Sequence, residues 1–480
     1  MNKKNNLLNN KTKLRNGKNI FFIILAFAIV AIFYLAPTPE GLTHNGQTMI
    51  GILIMAAILW ITEPISLAVT GLLVMIMQPL LYIRTPTQVF SSFGSNAVFF
   101  LIGAFIIAGA IEKHGLHKRI ALRFLSFFEH NPRLFTFGIM LSCASLSFVM
   151  PEHGVAALFL PIIVSILIVM KIVPKQSNFG KISMLAVAYG CSIGSLGTLI
   201  GGARNIYAID ILQKAGQNVS FIEWMIYAMP VVFIALPVVW LILQFSFPIE
   251  ISDISAAKRE INKQVKQSGR MGKGEFTVLL ILVLTIILWM AFSSTTYYGL
   301  AVIAVLGGVL LFLTKSITWK DVENRVPWGI ILLYGGAITL GVGMQSEKLG
   351  GTGAGEWIAH VFLNIAGENP LLVILILIIF TAILTNIMSN IAAVAILLPL
   401  GLSIATTFTN ISPVLASMII ALTGGLAFMF VISTPGNAIA YSSGYFSTRD
   451  LLKAGILANV LCIAIIFIIA IVYWMGVLQL

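Results

Sequence analysis

The chain has 480 residues, 59% of them hydrophobic and only 10% charged, which excludes a soluble globular fold and points to an all-α polytopic membrane protein. At roughly 20 residues per span, its length accommodates about a dozen crossings. The formal net charge of +12 does not mark a nucleic-acid partner, because most basic residues sit in a few short loops, where membrane topology concentrates them.

Residues 1–19 carry Lys3, Lys4, Lys11, Lys13, Arg15 and Lys18 and read as a cytoplasmic basic N-terminus. The apolar run from Ile20 to Ala36 resembles a secretory signal core, but Pro37 and Pro39 follow without a small-residue cleavage site, so a retained first helix is expected. Segments near 48–62, 65–83 and 95–111 lead to a basic loop with Lys113, Lys118, Arg119, Arg123 and Arg133. Segment 134–170 starts there and ends at Lys171, Lys175 and Lys181. Positive residues at both ends predict an inward-opening re-entrant hairpin with Pro151-Glu152-His153 near its tip. A broken helix follows over 182–212, interrupted by glycines and by Gly201-Gly202-Ala203-Arg204-Asn205, and 223–247 returns to the cytoplasm.

The polar stretch 248–275, with Lys258, Arg259, Lys263, Lys266, Arg270 and Lys273, is read as a cytoplasmic linker between a first repeat (20–247) and a second (276–480). In the second, 276–292 goes out, 299–314 returns to Lys315, Lys320 and Arg325, and 329–345 goes out again. Hairpin 370–405 carries Ser389-Asn390-Ile391 and is followed by a loop without Lys or Arg, so it should open outward. The broken helix 413–446 contains Ser433-Thr434-Pro435-Gly436-Asn437, and the last span, 455–476, leaves the C-terminus extracellular. Cys143, Cys191 and Cys462 all lie in apolar segments and read as buried thiols.

Each hairpin motif stands about ten residues before a Leu-Pro, at Leu160-Pro161 and Leu398-Pro399. Glu152 and Asn390 are 238 positions apart, and Asn205 and Asn437 are 232 apart. The expected architecture is about 11 transmembrane helices plus two re-entrant hairpins in an inverted repeat. Such a repeat places its binding site at the bilayer midplane, between hairpin tips and helix breaks. Unpaired backbone groups at the breaks are tolerated there only against protein or a watery cavity.

At these motifs the chain resembles the divalent-anion:sodium symporter family of dicarboxylate, citrate and sulfate carriers. The resemblance covers nearly the whole chain. Ser389-Asn390, Leu398-Pro399 and Thr434-Pro435-Gly436-Asn437 match the family pattern in the second repeat. The first repeat departs from it: Pro151-Glu152-His153 replaces Ser-Asn-Thr, and Ala203-Arg204 stands where prolines are usual. The resemblance implies a sodium site at Thr385, Asn390 and Ser433, and substrate contacts from Ser389, Asn390, Thr434 and Pro435. It also matches Ser147 and Gly201 to the first-repeat sodium site. A homodimer with elevator-type alternating access is implied as well.

Hydroxyls, the Asn390 amide and helix N-termini are donors suited to an anion, without the desolvation cost of a buried charge. The alternative for Ser and Thr here is back-bonding to their own helix carbonyls. Glu152 and Arg204 are ionisable residues within membrane segments, and such residues are functional by default and usually paired. The resemblance implies that the two meet around the first sodium site, and the expected pairing has Arg204 replacing that sodium ion and Glu152 its asparagine ligand. A structural lock is one alternative; another has Arg204 binding a substrate carboxylate while Glu152 or His153 carries a proton.

Glu63 and Glu112 lie at cytoplasmic span ends, and His114, His117 and His130 show no metal-ligand spacing. No cofactor is expected beyond Na+ as a coupling ion. There is no nucleotide loop, nucleophile motif or domain-sized linker, so neither an enzyme nor an ATP-driven pump is expected. The partners expected are a small divalent anion, the plasma-membrane bilayer and a second copy of the chain. The substrate expected is a C4-dicarboxylate, carried by sodium symport or anion exchange; sulfate or another inorganic oxyanion, a tricarboxylate, and proton coupling are the alternatives.

Overall fold

The computed structural model describes residues 2–128, 131–295, 297–367, 369–407 and 411–480; His130 lies outside them. Helices account for all regular structure among the described residues. The first half runs through α1 (Asn2–Leu35), α2 (His44–Thr62), α3 (Leu67–Leu80), the short α4 (Pro86–Phe90), α5 (Asn96–Lys113), α6 (Leu116–Leu125), α7 (Pro132–Leu146), α8 (Glu152–Val169), α9 (Asn178–Gly194), α10 (Ala203–Lys214) and α11 (Phe221–Ser246). The connecting α12 (Ser255–Gln267) leads to α13 (Lys273–Phe292), α14 (Gly299–Leu313), α15 (Trp319–Arg325), α16 (Trp328–Met344), α17 (Ala354–Ala366), α18 (Pro370–Ile387), α19 (Asn390–Thr407), α20 (Pro413–Thr423), α21 (Pro435–Ser442) and α22 (Thr448–Ile469). Among the described residues nine helices are long and apolar enough to cross a membrane, or ten if α15 and α16, bent by 68°, count as one broken span. Of the shorter apolar helices, α7 belongs to the first hairpin and α20 to the second broken span, whereas α3 and α14 stand in the segments expected at 65–83 and 299–314.

The same start signals recur in both halves. Hairpin helices α7 and α18 each begin at an Asn-Pro pair, 238 positions apart. Asn131 Oδ1 accepts from the Arg133 N–H at 2.8 Å, and Asn369 Oδ1 from the Leu371 N–H at 3.0 Å. This N-cap satisfies an orphan donor, while proline at the first helical position has none to lose. Helices α11 and α22 both open with a capping box, Ser220 with Glu223 and Ser447 with Asp450. The second box starts the last helix at Thr448, seven residues before the apolar run expected from 455, because two capped donors stabilise a polar first turn.

Packing repeats as well. Helix α3 lies along α16 and α5 along α14, α8 touches α21 and α10 touches α19, and α11 meets α22. The first two pairs cross where the backbones nearly touch: a Cβ at Gly336 would fall 2.4 Å from Gly71 Cα, and one at Gly103 2.4 Å from the Ala304 carbonyl. Small residues at a crossing are how membrane helices gain van der Waals contact without a hydrophobic drive. The outward face of α13 shows Phe276, Leu280 and Ile287 to the surroundings, as a lipid-facing span requires.

Five short helices, α4, α6, α12, α15 and α17, lie outside the spans expected from the sequence. α6, α12 and α17 are short and amphipathic, and α12 lies inside the polar linker. Ala257 and Ile261, one turn apart, are buried against α8, while its basic residues face outward.

Candidate functional site

The first hairpin turns between α7 and α8, at Ser147–Pro151, which places Glu152 as the first residue of α8. The first helix break, 195–202, separates α9 from α10. A Cβ at Gly201 would fall 2.5 Å from the Ser147 carbonyl oxygen and 2.7 Å from that of Ser195, so glycine lets the break sit directly on the hairpin tip. The Ser147 hydroxyl is buried there with no protein partner. Thr198 donates its hydroxyl to the Phe148 carbonyl at 2.7 Å and tightens the same contact.

Glu152 and Arg204 do come together. Arg204 is 2% exposed and Glu152 8%, and Arg204 Nη1 lies 3.9 Å from Glu152 Oε2. The shorter path runs through Ser195, which the sequence reading did not include. Arg204 Nη2 donates to Ser195 Oγ at 2.6 Å. The single Ser195 hydroxyl hydrogen is shared between the Ser192 carbonyl at 2.6 Å and Glu152 Oε2 at 3.2 Å. Arg204 Nε has no partner, so a guanidinium with five donors is buried with most of its hydrogen-bonding capacity unused. His153 faces a cavity under the hairpin tip rather than this cluster.

The guanidinium also reaches the second repeat. A Cβ on Gly425 would lie 2.4 Å from Arg204 Nη2, so only glycine leaves room for the arginine at this point. Gly425 follows Gly424, whose carbonyl oxygen accepts from Thr385 Oγ1 at 2.5 Å. Thr385 Oγ1 is also 3.0 Å from Asn390 Oδ1. Three oxygens from α18, α19 and the second break thus converge, a donor set suited to a small hard cation. Thr385 bonds across to another element here, so the back-bonding alternative does not describe it. Asn390 Nδ2, by contrast, is buried without a partner, leaving an amide donor available beside these three oxygens.

The remaining second-repeat residues divide into separate tasks. Ser433 donates to the Asn386 carbonyl at 2.6 Å and so holds the break against the hairpin beside Thr385. Thr434 Oγ1 accepts from the Asn437 N–H at 2.9 Å and caps α21, with Pro435 at its first position. Ser389 Oγ accepts from the Ala392 N–H at 3.3 Å at the start of α19. These two helix N-termini direct partial positive charge toward the hairpin–break junction. Tyr334 of α16 adds a buried hydroxyl with no partner, its ring 5.6 Å from that of Tyr207 on α10.

Residues 17–480 match the family described as the sodium:sulfate symporter transmembrane region. The sodium-dependent dicarboxylate transporter SdcS of Staphylococcus saprophyticus is 29% identical, the match covering 96% of this chain and 92% of that one. SdcS of Staphylococcus aureus is 28% identical over 97% and 92%. Among solved structures, MtrF of Neisseria gonorrhoeae shares the fold at a TM-score of 0.55 and 14% identity, covering 96% of this chain and 94% of that one. YdaH of Alcanivorax borkumensis does so at 0.55 and 13%, covering 96% and 99%. The chain belongs to the sodium:sulfate symporter family, that is, to the divalent-anion:sodium symporters, and is a multi-pass membrane transporter rather than an enzyme.

Proposed function

We propose that this transporter carries small divalent anions, C4-dicarboxylates in particular, across the plasma membrane by elevator-type alternating access. The observation that carries the reading is Arg204: a buried guanidinium, short of partners, set between the two helix breaks. A fixed cation at that position favours a dianion, and the Asn390 amide and the N-termini of α19 and α21 add neutral donors. The dicarboxylate named for the two staphylococcal relatives fits the same donor set.

For coupling, the Thr385, Asn390 and Gly424 oxygens supply one sodium site. The Arg204 guanidinium, held by Ser195 and Glu152, takes the place of the other, a positive charge that never leaves. Two inverted repeats, 20–247 and 276–480, joined by the linker 248–275, would form this unit, with the N-terminus cytoplasmic, the C-terminus extracellular and two copies in the membrane.

The test is uptake of labelled succinate into proteoliposomes, with sodium, with potassium plus a proton gradient, and with unlabelled dicarboxylate preloaded. Sodium-dependent uptake without preloading is expected. Uptake that needs only internal dicarboxylate would instead make the protein an exchanger. Glu152→Gln is expected to abolish flux; unchanged flux with unchanged cation dependence would remove the ion pair from the mechanism.

A further inference from the structure

Beneath the first hairpin tip a cavity of about 360 Å³ lies between two walls. One wall comes from α5 with Glu112, from His117 and from Arg325 at the bend between α15 and α16; the other comes from the hairpin with Pro151 and His153 and from Ile439 of α21. It opens on the side of the basic loops around Lys113, Lys118 and Lys320, which the charge rule assigns to the cytoplasm.

Two ion pairs tie α5 to α15 at this mouth, and they differ in kind. Asp321 is saturated: it accepts from Lys113 Nζ at 2.8 Å and from the Thr318 N–H and hydroxyl at 2.9 and 2.6 Å. Glu112 has Arg325 Nη1 at 2.9 Å, and the two side chains are 51% and 31% exposed. A water-exposed pair of this sort is worth little and exchanges readily. Burial drives the His117 ring down to about 4, so the ring is neutral near pH 7 and the Arg325 guanidinium supplies the positive charge on this wall.

A second polar cavity, of about 350 Å³, differs in its charged lining. It is lined by Asn96, Gln213 and Ser293 and by Asp210, whose carboxylate accepts from Lys214 Nζ at 2.7 Å. Its charged lining is thus a carboxylate alone, whereas the vestibule at Arg325 holds both a guanidinium and the Glu112 carboxylate.

We propose that Arg325 forms a transient anion station in the cytoplasmic vestibule, exchanging the Glu112 carboxylate for a carboxylate or other oxyanion of the permeating dianion. The guanidinium fork accepts a carboxylate in two-point geometry, and Glu112 keeps it from becoming a trap by competing for it. The inference rests on the anion-carrier function proposed above.

The test compares succinate uptake by inside-out and right-side-out vesicles from cells that express the full-length protein. Arg325→Gln is expected to raise the cytoplasmic-face KM about five- to tenfold, with the external-face KM unchanged, as loss of one part-exposed charged hydrogen bond implies. Glu112→Gln should act in the opposite direction, lowering the cytoplasmic-face KM about two- to fivefold, and Arg325→Lys should fall between wild type and Arg325→Gln. Equal shifts on both faces, or none in Glu112→Gln, would overturn the station. Should Arg325→Gln fail to accumulate, the sign of the Glu112→Gln shift alone decides. Wild-type vesicles that take up neither succinate nor sulfate from either face would overturn the anion-carrier reading itself, and the station with it.

Discussion

Asn205 and Asn437 brace their helix breaks identically: each side-chain amide donates to the carbonyls ten and seven residues earlier. For Asn205 these are Ser195 at 2.8 Å and Thr198 at 2.7 Å; for Asn437 they are Ala427 and Phe430, both at 3.0 Å. A helix break frees carbonyls that lipid cannot satisfy, and one planar amide with two donors closes two of them. Asn205→Ala and Asn437→Ala should each destabilise the protein by roughly 2–4 kcal/mol, the cost of two buried acceptors left unpaired. The check is the melting temperature in detergent alongside transport. Comparable losses are expected in both variants, and a tolerated Asn205→Ala would mean that the first break has no equivalent role.

Gly425 makes a second prediction from the contact with Arg204. An alanine methyl would lie 2.4 Å from both Arg204 Nη2 and Leu196 Cδ2, so Gly425→Ala must displace the guanidinium from Ser195. Succinate flux should fall at least tenfold. Arg204→Ala alone leaves Glu152 as a buried charge without its counter-ion, a change that costs about 3–5 kcal/mol. The informative variant is therefore Glu152→Gln combined with Arg204→Met and Gly425→Ala, which should recover thermal stability without recovering transport. A Gly425→Ala variant with wild-type flux would show that the arginine can sit elsewhere.

The sequence made the helices legible because apolar runs of span length have few alternatives, and the pairing of Glu152 with Arg204 followed from the cost of lone charges in lipid together with the positions that the family resemblance gives the two residues. The repeat could also have been found from its caps, since Asn131-Pro132 and Asn369-Pro370 mark equivalent hairpin starts. Apolar periodicity gives such polar pairs no weight. Helices α6, α12 and α17 escaped notice because a short amphipathic helix becomes visible only through the surface it covers, as α12 covers α8. Ser195 between Glu152 and Arg204, and Gly425 beneath the arginine, depend on how a long side chain crosses from one repeat to the other. No spacing along the chain encodes that reach.

In the proposed coupling scheme, Thr385 separates cation coupling from anion binding. Its hydroxyl lies between the Gly424 carbonyl and Asn390 Oδ1, whereas Asn390 Nδ2 is free for the substrate. Thr385→Val preserves shape and removes one cation ligand, so the sodium concentration for half-maximal uptake should rise about tenfold, with a smaller change in succinate KM at saturating sodium. Asn390→Ala removes both a cation ligand and an anion donor and should abolish uptake at any sodium concentration. A Thr385→Val variant with unaltered sodium dependence would remove this cluster as the coupling site.

His117 on α6 sets a pH window for the vestibule beside Arg325. Burial is the main cause that lowers its pKa from 6.5 to about 4, opposed by a hydrogen bond with the Ile111 backbone and reinforced by the positive charges of Arg325 and Lys118. The unfolded chain therefore binds this proton more readily than the folded one. The stability contribution is complete above about pH 6.5 and is lost as the pH falls from 6.5 towards 4. His117→Gln removes the titration, so the melting temperature of the wild type should drop more steeply than that of the variant between pH 7 and 4.5. Carboxylates that titrate at the acid end of this range affect both proteins alike and cancel in the comparison. Parallel curves would mean that His117 accepts its proton in the folded state without cost, through water that enters the vestibule beside Arg325.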